Sequence, residues 1–195
     1  MDIEMAKYIV DIFPSDLRLH SYNVCYLSAR LAEYMGYSRK SIQELAIGAL
    51  LHDIGKTRIE KELLNKPGRL TEEEFSIIKK HTVIGSELIK SIKGYQNILP
   101  IILYHHERWD GNGYERLKGN EIPETAQIVT IADAFDAMTT KRPYQKVKTL
   151  IETLHDLNRN KGSQFSPEIV EKFQACILEH SKKATGYLQY ISPFT

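Results

Sequence analysis

Five of the seven histidines in this chain of 195 residues fall into an ordered arrangement with two aspartates: His20, His52-Asp53, His81, His105-His106 and Asp133. Neutral imidazole and ionised carboxylate together form a mixed nitrogen and oxygen donor set that suits manganese, iron, cobalt, nickel or zinc, whereas the scarcity of thiolates argues against a structural zinc site. The local spacings fit that chemistry. In HDIGK, Lys56 lies three residues after Asp53 and four after His52, so all three face one pocket if the segment is helical or ends a helix. Asp133 and Asp136 in IADAFDAM are i and i+3, and the small residues Ala132, Ala134 and Ala137 let neighbouring helices approach them closely. Asp16 and His20 are i and i+4. Ionisable groups inside apolar helices are costly to bury without partners, and a metal ion is the economical partner. His155 and His180 have no carboxylate or second histidine at ligand spacing and read as surface groups.

The elements that must position these residues read as helix almost throughout. Ser15 is placed to cap a helix along which Val24, Leu27, Leu31 and Met35 recur on one face until Gly36. A second helix over 41–52 carries a nearly continuous apolar run and predicts burial on most sides. Thr71 with Glu74 makes a capping box, so a helix begins there. Further helices are expected over 83–92, 96–106, 124–139 and 150–158, and from Ser166-Pro167 to about His180. Turn-forming residues place loops at 65–68 and 110–113. No segment alternates like a strand, and there are no repeats or Pro/Ser-rich linkers, so the expectation is one compact all-α domain over residues 1–195.

Composition narrows the partners. Lys and Arg number 26 against 25 Asp and Glu, a net charge of +1, which lacks the basic excess that drives binding to duplex nucleic acid. With 42% hydrophobic and 26% charged residues the chain is of globular type. Its apolar runs, such as 46–51, are far shorter than the ~18 to 20 residues that span a bilayer, so no membrane span is expected. The N-terminal segment MDIEMAKYIVDIF is acidic and amphipathic, unlike a secretory signal. Cys25 and Cys176, far apart within apolar periodic segments, read as reduced thiols, and a cytoplasmic location is expected.

The motifs HSYNV, LLHDIGK, LNKPGRLTEEEF, KKHTVIG, HHERWDGNGYERLKGNEIP, QIVTIADAFDAMTTKRPYQK and GSQFSPEIV run in order from about residue 15 to residue 173. In them the chain resembles the HD superfamily of metal-dependent phosphohydrolases, specifically the HD-GYP subgroup. The resemblance implies an all-α HD-type domain that binds two or sometimes three divalent transition metals, often iron or manganese, and hydrolyses cyclic di-GMP to pGpG or GMP. Carried over by residue, it implies His20, His52, Asp53 and Asp133 as ligands of one metal, with Asp53 bridging to a second held by His81, His105 and His106. Lys56 would contact a substrate phosphate or the attacking water, and Arg142 a substrate phosphate. Asp16 and Asp136 stand where a third metal would recruit carboxylates, although Asp16 is shorter than the glutamate expected there, which argues against a third ion. Two departures loosen the substrate: Gly113-Tyr114-Glu115 replaces Gly-Tyr-Pro, and Gln145 follows Arg142-Pro143-Tyr144 where a basic residue is usual.

By this reading, a hydroxide generated at a binuclear site near neutral pH attacks the phosphodiester. Two divalent ions outweigh Asp53, Asp133 and one hydroxide by a single positive charge, so the site attracts an anion. Tyr114 and Trp109 could stack on a guanine base or pack beneath their loop, and segment 65–70 could form a lid or simply a link. The alternatives are an HD phosphohydrolase acting on another cyclic dinucleotide or nucleotide, and a nonhydrolytic sensor or interaction module, against which the complete ligand set argues. Nothing in the chain reads as a receiver or sensor segment, so a stand-alone enzyme and an output domain are both compatible with it. A signalling partner or a second copy could dock on exposed apolar helix faces.

Overall fold

The structure, a computed structural model, describes residues 2–140 and 147–183, with side chains up to residue 180. Ten α-helices follow in order: α1 (Ile3–Asp11), α2 (Ser15–Tyr34), α3 (Arg39–Leu51), α4 (Lys61–Leu64), α5 (Glu72–Lys79), α6 (His81–Lys90), α7 (Leu99–Tyr104), α8 (Glu124–Thr139), α9 (Leu150–Arg159) and α10 (Pro167–Lys183). Short 3-10 turns cover Ile54–Arg58, Gln96–Ile98 and Gly119–Glu121. No strand occurs among the described residues, only an isolated bridge between Lys161 and Phe165. The fold is all-α, as expected.

The helix starts show how local chemistry sets the boundaries. The capping box at Thr71 and Glu74 forms in both directions and opens α5. At α2, Pro14 occupies the N-cap without a side-chain hydrogen bond, and Ser15 is already helical rather than the cap. The expected helix over 96–106 is instead a 3-10 turn followed by α7, because Pro100 has no N–H to donate and fits only in a first turn. Helix α1, which periodicity did not single out, is short and owes its stability to packing: Ala6 and Val10 bury against α3 while Asp2 caps Glu4 N.

Packing then brings the helix ends together. Helix α2 lies against α3 and α8, α7 packs on α3, α6 and α8, and α10 covers α2, α8 and α9. The core between them is aliphatic, with Leu31, Leu50, Leu51, Ile101, Ile102 and Ile131 fully buried beside Phe173. Each such side chain contributes roughly 1.5–3 kcal/mol by leaving water. Helix α3 is buried continuously from Leu45 to Leu51, so its C-terminus, where His52 and Asp53 follow, ends deep inside the molecule. No described helix is long and apolar enough to cross a membrane. Cys25 and Cys176 are free thiols, the latter buried.

Candidate metal centre

His52 and His105 cap the C-termini of α3 and α7, His81 follows the last turn of α5 as the first residue of α6, and all three spend the same ring nitrogen in the same way. Nδ1 of His52 lies 2.6 Å from Ala49 O, that of His81 2.7 Å from Ile78 O, and that of His105 2.9 Å from Ile102 O. The last turn of a helix leaves its carbonyls unpaired, and a carbonyl can only accept. Each imidazole therefore carries its proton on Nδ1 and turns the Nε2 lone pair inwards. This fixes the tautomer that a metal ligand needs.

Those lone pairs converge. Nε2 of His81 and Nε2 of His105 face one another at 3.3 Å, and with both protons committed to Nδ1 neither can donate to the other. Among the described residues, His52 Nε2 and Asp53 Oδ1 are buried without a hydrogen-bond partner. Asp53, 1% exposed, presents its two oxygens to different histidines: Oδ2 is 3.4 Å from His52 Nε2 and 3.7 Å from His20 Nε2, while Oδ1 is 3.3 Å from His81 Nε2 and 3.7 Å from His105 Nε2. Buried acceptors pointing at one another are stable only around a cation. One ligand atom from each of Asp53, His81, His105 and His106 lies within 4.8 Å of the others, and so does one from each of His20, His52 and Asp133. The donor set fits a pair of divalent transition metals.

His20, Asp133 and Asp136 come from within helices, and His106 from the turn after α7. His20 on α2 has Nε2 3.1 Å from Asp133 Oδ1 and Nδ1 2.6 Å from Asp136 Oδ2, both on α8. Asp136 is engaged in orienting that ring: its Oδ1 also accepts from Asn23 at 2.7 Å and Thr140 at 2.7 Å. Asp16 is exposed in the first turn of α2 and belongs to neither ligand group. Lys56, in the 3-10 turn after Asp53, donates to Asp53 Oδ2 at 2.5 Å and remains partly open to solvent.

Burial and neighbours set the protonation. Burial opposes ionisation of Asp53, but the Lys56 ammonium and His52 hold its carboxyl well below the usual range. Asp133 is likewise held low, against burial, by its hydrogen bond to His20. Burial would depress His20, yet the Asp133 and Asp136 carboxylates outweigh it and raise the imidazole to about 9. Burial lowers His105 to about 4, and burial together with His105 lowers His106 well below its ordinary value. His105 and His106 thus keep their lone pairs free at neutral pH.

A cleft of about 280 Å³ opens beside the histidines, lined by His105, His106, Arg108, Tyr114, Asp133 and Gln164 among others. Tyr114 packs its ring against His106 at 4.8 Å between centroids, and burial followed by the Asp53 and Asp133 charges pushes its hydroxyl up to about 12. Trp109 lines a much smaller cavity with Glu107 and Thr130. In segment 65–70, Lys66 Nζ donates to both oxygens of Glu74 at 2.7 Å and Asn65 N donates to Lys61 O at 2.9 Å. His155 is exposed, whereas the partly buried His180 contacts Arg30.

Several contributors were not read from the sequence. Lys79 lies over the rings of Phe75 and Tyr114 at 4.9 and 5.2 Å, a placement that depends on the fold of the loop carrying Tyr114. Thr130 reaches back from α8 to His105 O at 2.8 Å. Gly55 lets the turn after Asp53 touch α6: a Cβ there would meet His81 O at 1.9 Å. The invitation in the sequence was the glycine within HDIGK, but its partner is remote in the chain.

The HD domain family profile matches residues 5–169. The chain belongs to the HD domain family. It is 42% identical over 174 residues to a cyclic di-GMP phosphodiesterase of Thermotoga maritima, covering 88% of this chain and 47% of that protein. It is 40% identical over 152 residues to the cyclic di-GMP phosphodiesterase response regulator RpfG of Xanthomonas campestris pv. campestris, covering 75% and 39%. To the 3'3'-cGAMP-specific phosphodiesterase 2 of Vibrio cholerae it is 37% identical over 164 residues, covering 83% and 31%. This HD domain spans less than half the length of each of these relatives. Among solved structures it is similar to Bd1817, an HDGYP protein from Bdellovibrio bacteriovorus, with a TM-score of 0.69 and 25% identity over 91% of this chain and 58% of that one. The PgpH HD domain of L. monocytogenes has the same fold, with a TM-score of 0.68 and 20% identity over 96% of this chain and 99% of that one.

Proposed function

We propose that this HD domain, taken as a single unit over residues 1–195, is a metal-dependent phosphodiesterase that opens a cyclic dinucleotide, cyclic di-GMP first. His20, His52, Asp53 and Asp133 hold one divalent ion, and Asp53, His81, His105 and His106 hold the other, with iron or manganese the expected metals. The observation that carries this reading is the Asp53 carboxylate, whose two oxygens face two separate sets of imidazole nitrogens. The names of the relatives supply the substrate class. When bound, two such ions supply Lewis acidity at the phosphoryl oxygens and an activated water at neutral pH.

The protein groups complete the site. Lys56, beside Asp53 and partly open to solvent, donates to an anionic phosphoryl oxygen, where its charge counts most as negative charge grows. Tyr114 holds its proton at neutral pH and serves as a hydrogen-bond donor or a stacking face for the substrate. Arg142 lies outside the described residues, as do Pro143, Tyr144 and Gln145; it is assigned to a substrate phosphate, so Arg142→Ala raises KM with metals retained. Asp136 orients His20, and with Asp16 exposed the proposal is a two-metal centre. Glu115 in place of the namesake proline, together with the 3'3'-cGAMP-specific relative, favours a second reading in which a mixed cyclic dinucleotide is the better substrate.

Anaerobic purification with metal analysis, followed by product analysis on cyclic di-GMP, 3'3'-cGAMP and simple nucleotides, tests both readings. Two metals per chain and a linear dinucleotide product are expected. Tight binding of a cyclic dinucleotide without turnover in the fully metallated protein would replace the enzyme with a sensor.

A further inference from the structure

Glu107 follows directly on His105 and His106, yet it belongs to neither ligand group. It is 2% exposed, and both of its oxygens are taken by the main chain of the loop that returns past it: Oε1 accepts from Glu115 N at 2.6 Å and Oε2 from Leu117 N at 2.7 Å. The loop closes tightly on this carboxylate. At Gly113 a Cβ would stand 2.6 Å from Glu107 Cα and 2.8 Å from Glu107 Cδ, and Arg116, between the two donors, takes the left-handed φ of 64° that non-glycine residues avoid. Tyr114 lies between Gly113 and the first donor, with its ring on His106. The N–H used at position 115 exists only because Glu115 stands where the namesake motif has proline, which has none.

We propose that Glu107 is a positioning residue: its buried carboxylate folds the 107–117 loop by binding two main-chain N–H groups and so holds Tyr114 against His106 at the substrate cleft. The inference rests on the phosphodiesterase reading for its kinetic consequence, but not for its structural one. A carboxylate offers two acceptors, whereas a carboxamide offers one acceptor and one donor, so Glu107→Gln sets an NH₂ against one of the two N–H groups.

The test uses the metal-loaded protein and the sole tryptophan, Trp109, which lies in the same loop and reports its fold by fluorescence. Glu107→Gln is expected to shift Trp109 emission and raise KM at least about tenfold, the size set by a lost charge-assisted hydrogen bond, with metal content unchanged. In a Tyr114→Ala background the same substitution is expected to raise KM no further. Adding Glu115→Pro to Glu107→Gln removes the N–H that the carboxamide opposes and is expected to restore the emission towards wild type, a rescue that general loop damage does not produce. Unchanged emission in Glu107→Gln, loss of metal, or a double variant worse than Glu107→Gln would each overturn the proposal. If Glu107→Gln does not fold, Glu115→Pro alone decides: loss of one donor is expected to shift the emission, and no shift refutes it. Absence of turnover on every cyclic dinucleotide would defeat the phosphodiesterase reading while the fluorescence still judges the loop.

Discussion

A histidine at the end of a helix solves two problems with one ring. It satisfies a carbonyl that the helix leaves unpaired, and it thereby aims an undamaged lone pair away from the helix. His20 differs, because its Nδ1 partner is the Asp136 carboxylate and its Nε2 faces Asp133, so the metal-free ring is protonated up to about pH 9. Metal uptake at pH 7 must displace the Nε2 proton. Titration calorimetry in buffers of different ionisation enthalpy should record this proton in addition to any given up by metal-bound water, and His20→Ala should lower the release by about one proton per chain. Asp53→Ala is expected to empty both positions, since each depends on one of its oxygens; metal analysis showing one position still filled would end the bridging role.

Elements carry these residues only because their ends meet. Asp53 reaches His81 through the contact between the 3-10 turn over Ile54–Arg58 and α6, where Gly55 lies against the main chain of His81 and Gly85. Gly55→Ala cannot be relieved by a side-chain rotation, because the Cβ meets backbone, so the turn must move away from α6. The expected result is loss of metal at the position shared by Asp53 and His81, with a stability loss of roughly 1–3 kcal/mol, read by metal content and denaturant midpoint. The helices themselves were largely legible: the capping box at Thr71, the apolar stripe of α2 and the small-residue face of α8 are local signals. The split of 96–106 by Pro100 and the start of α6 at His81 were less so, because chain geometry and packing, not periodicity, decide where a short helix begins.

At the scale of the molecule the centre concentrates opposing charges in an interior that the near-neutral total of +1 does not reveal. Two pKa shifts then squeeze the metal-free chain from both sides. His20 is raised from 6.5 to about 9, so its contribution is complete below pH 6.5 and lost as pH rises through 9. His105 is lowered from 6.5 to about 4, so stability falls as pH drops from 6.5 towards 4, by on the order of 3 kcal/mol. Thermal unfolding after chelation should therefore peak near pH 6.5, and saturating metal should remove the alkaline decline by replacing the His20 proton. A midpoint rising steadily to pH 9 without metal would refute the assignment. By itself the sequence determined the residue types, their order and most helices, because ligand chemistry and periodicity are local properties; from these the donor set and the family resemblance were readable. Only the tertiary structure shows which Asp53 oxygen faces which histidines, that Asp136 serves His20, and that Glu107 accepts from the main chain of the Tyr114 loop. Those pairings join residues whose separation along the chain is bridged by core packing, and no local pattern encodes a distance across a core.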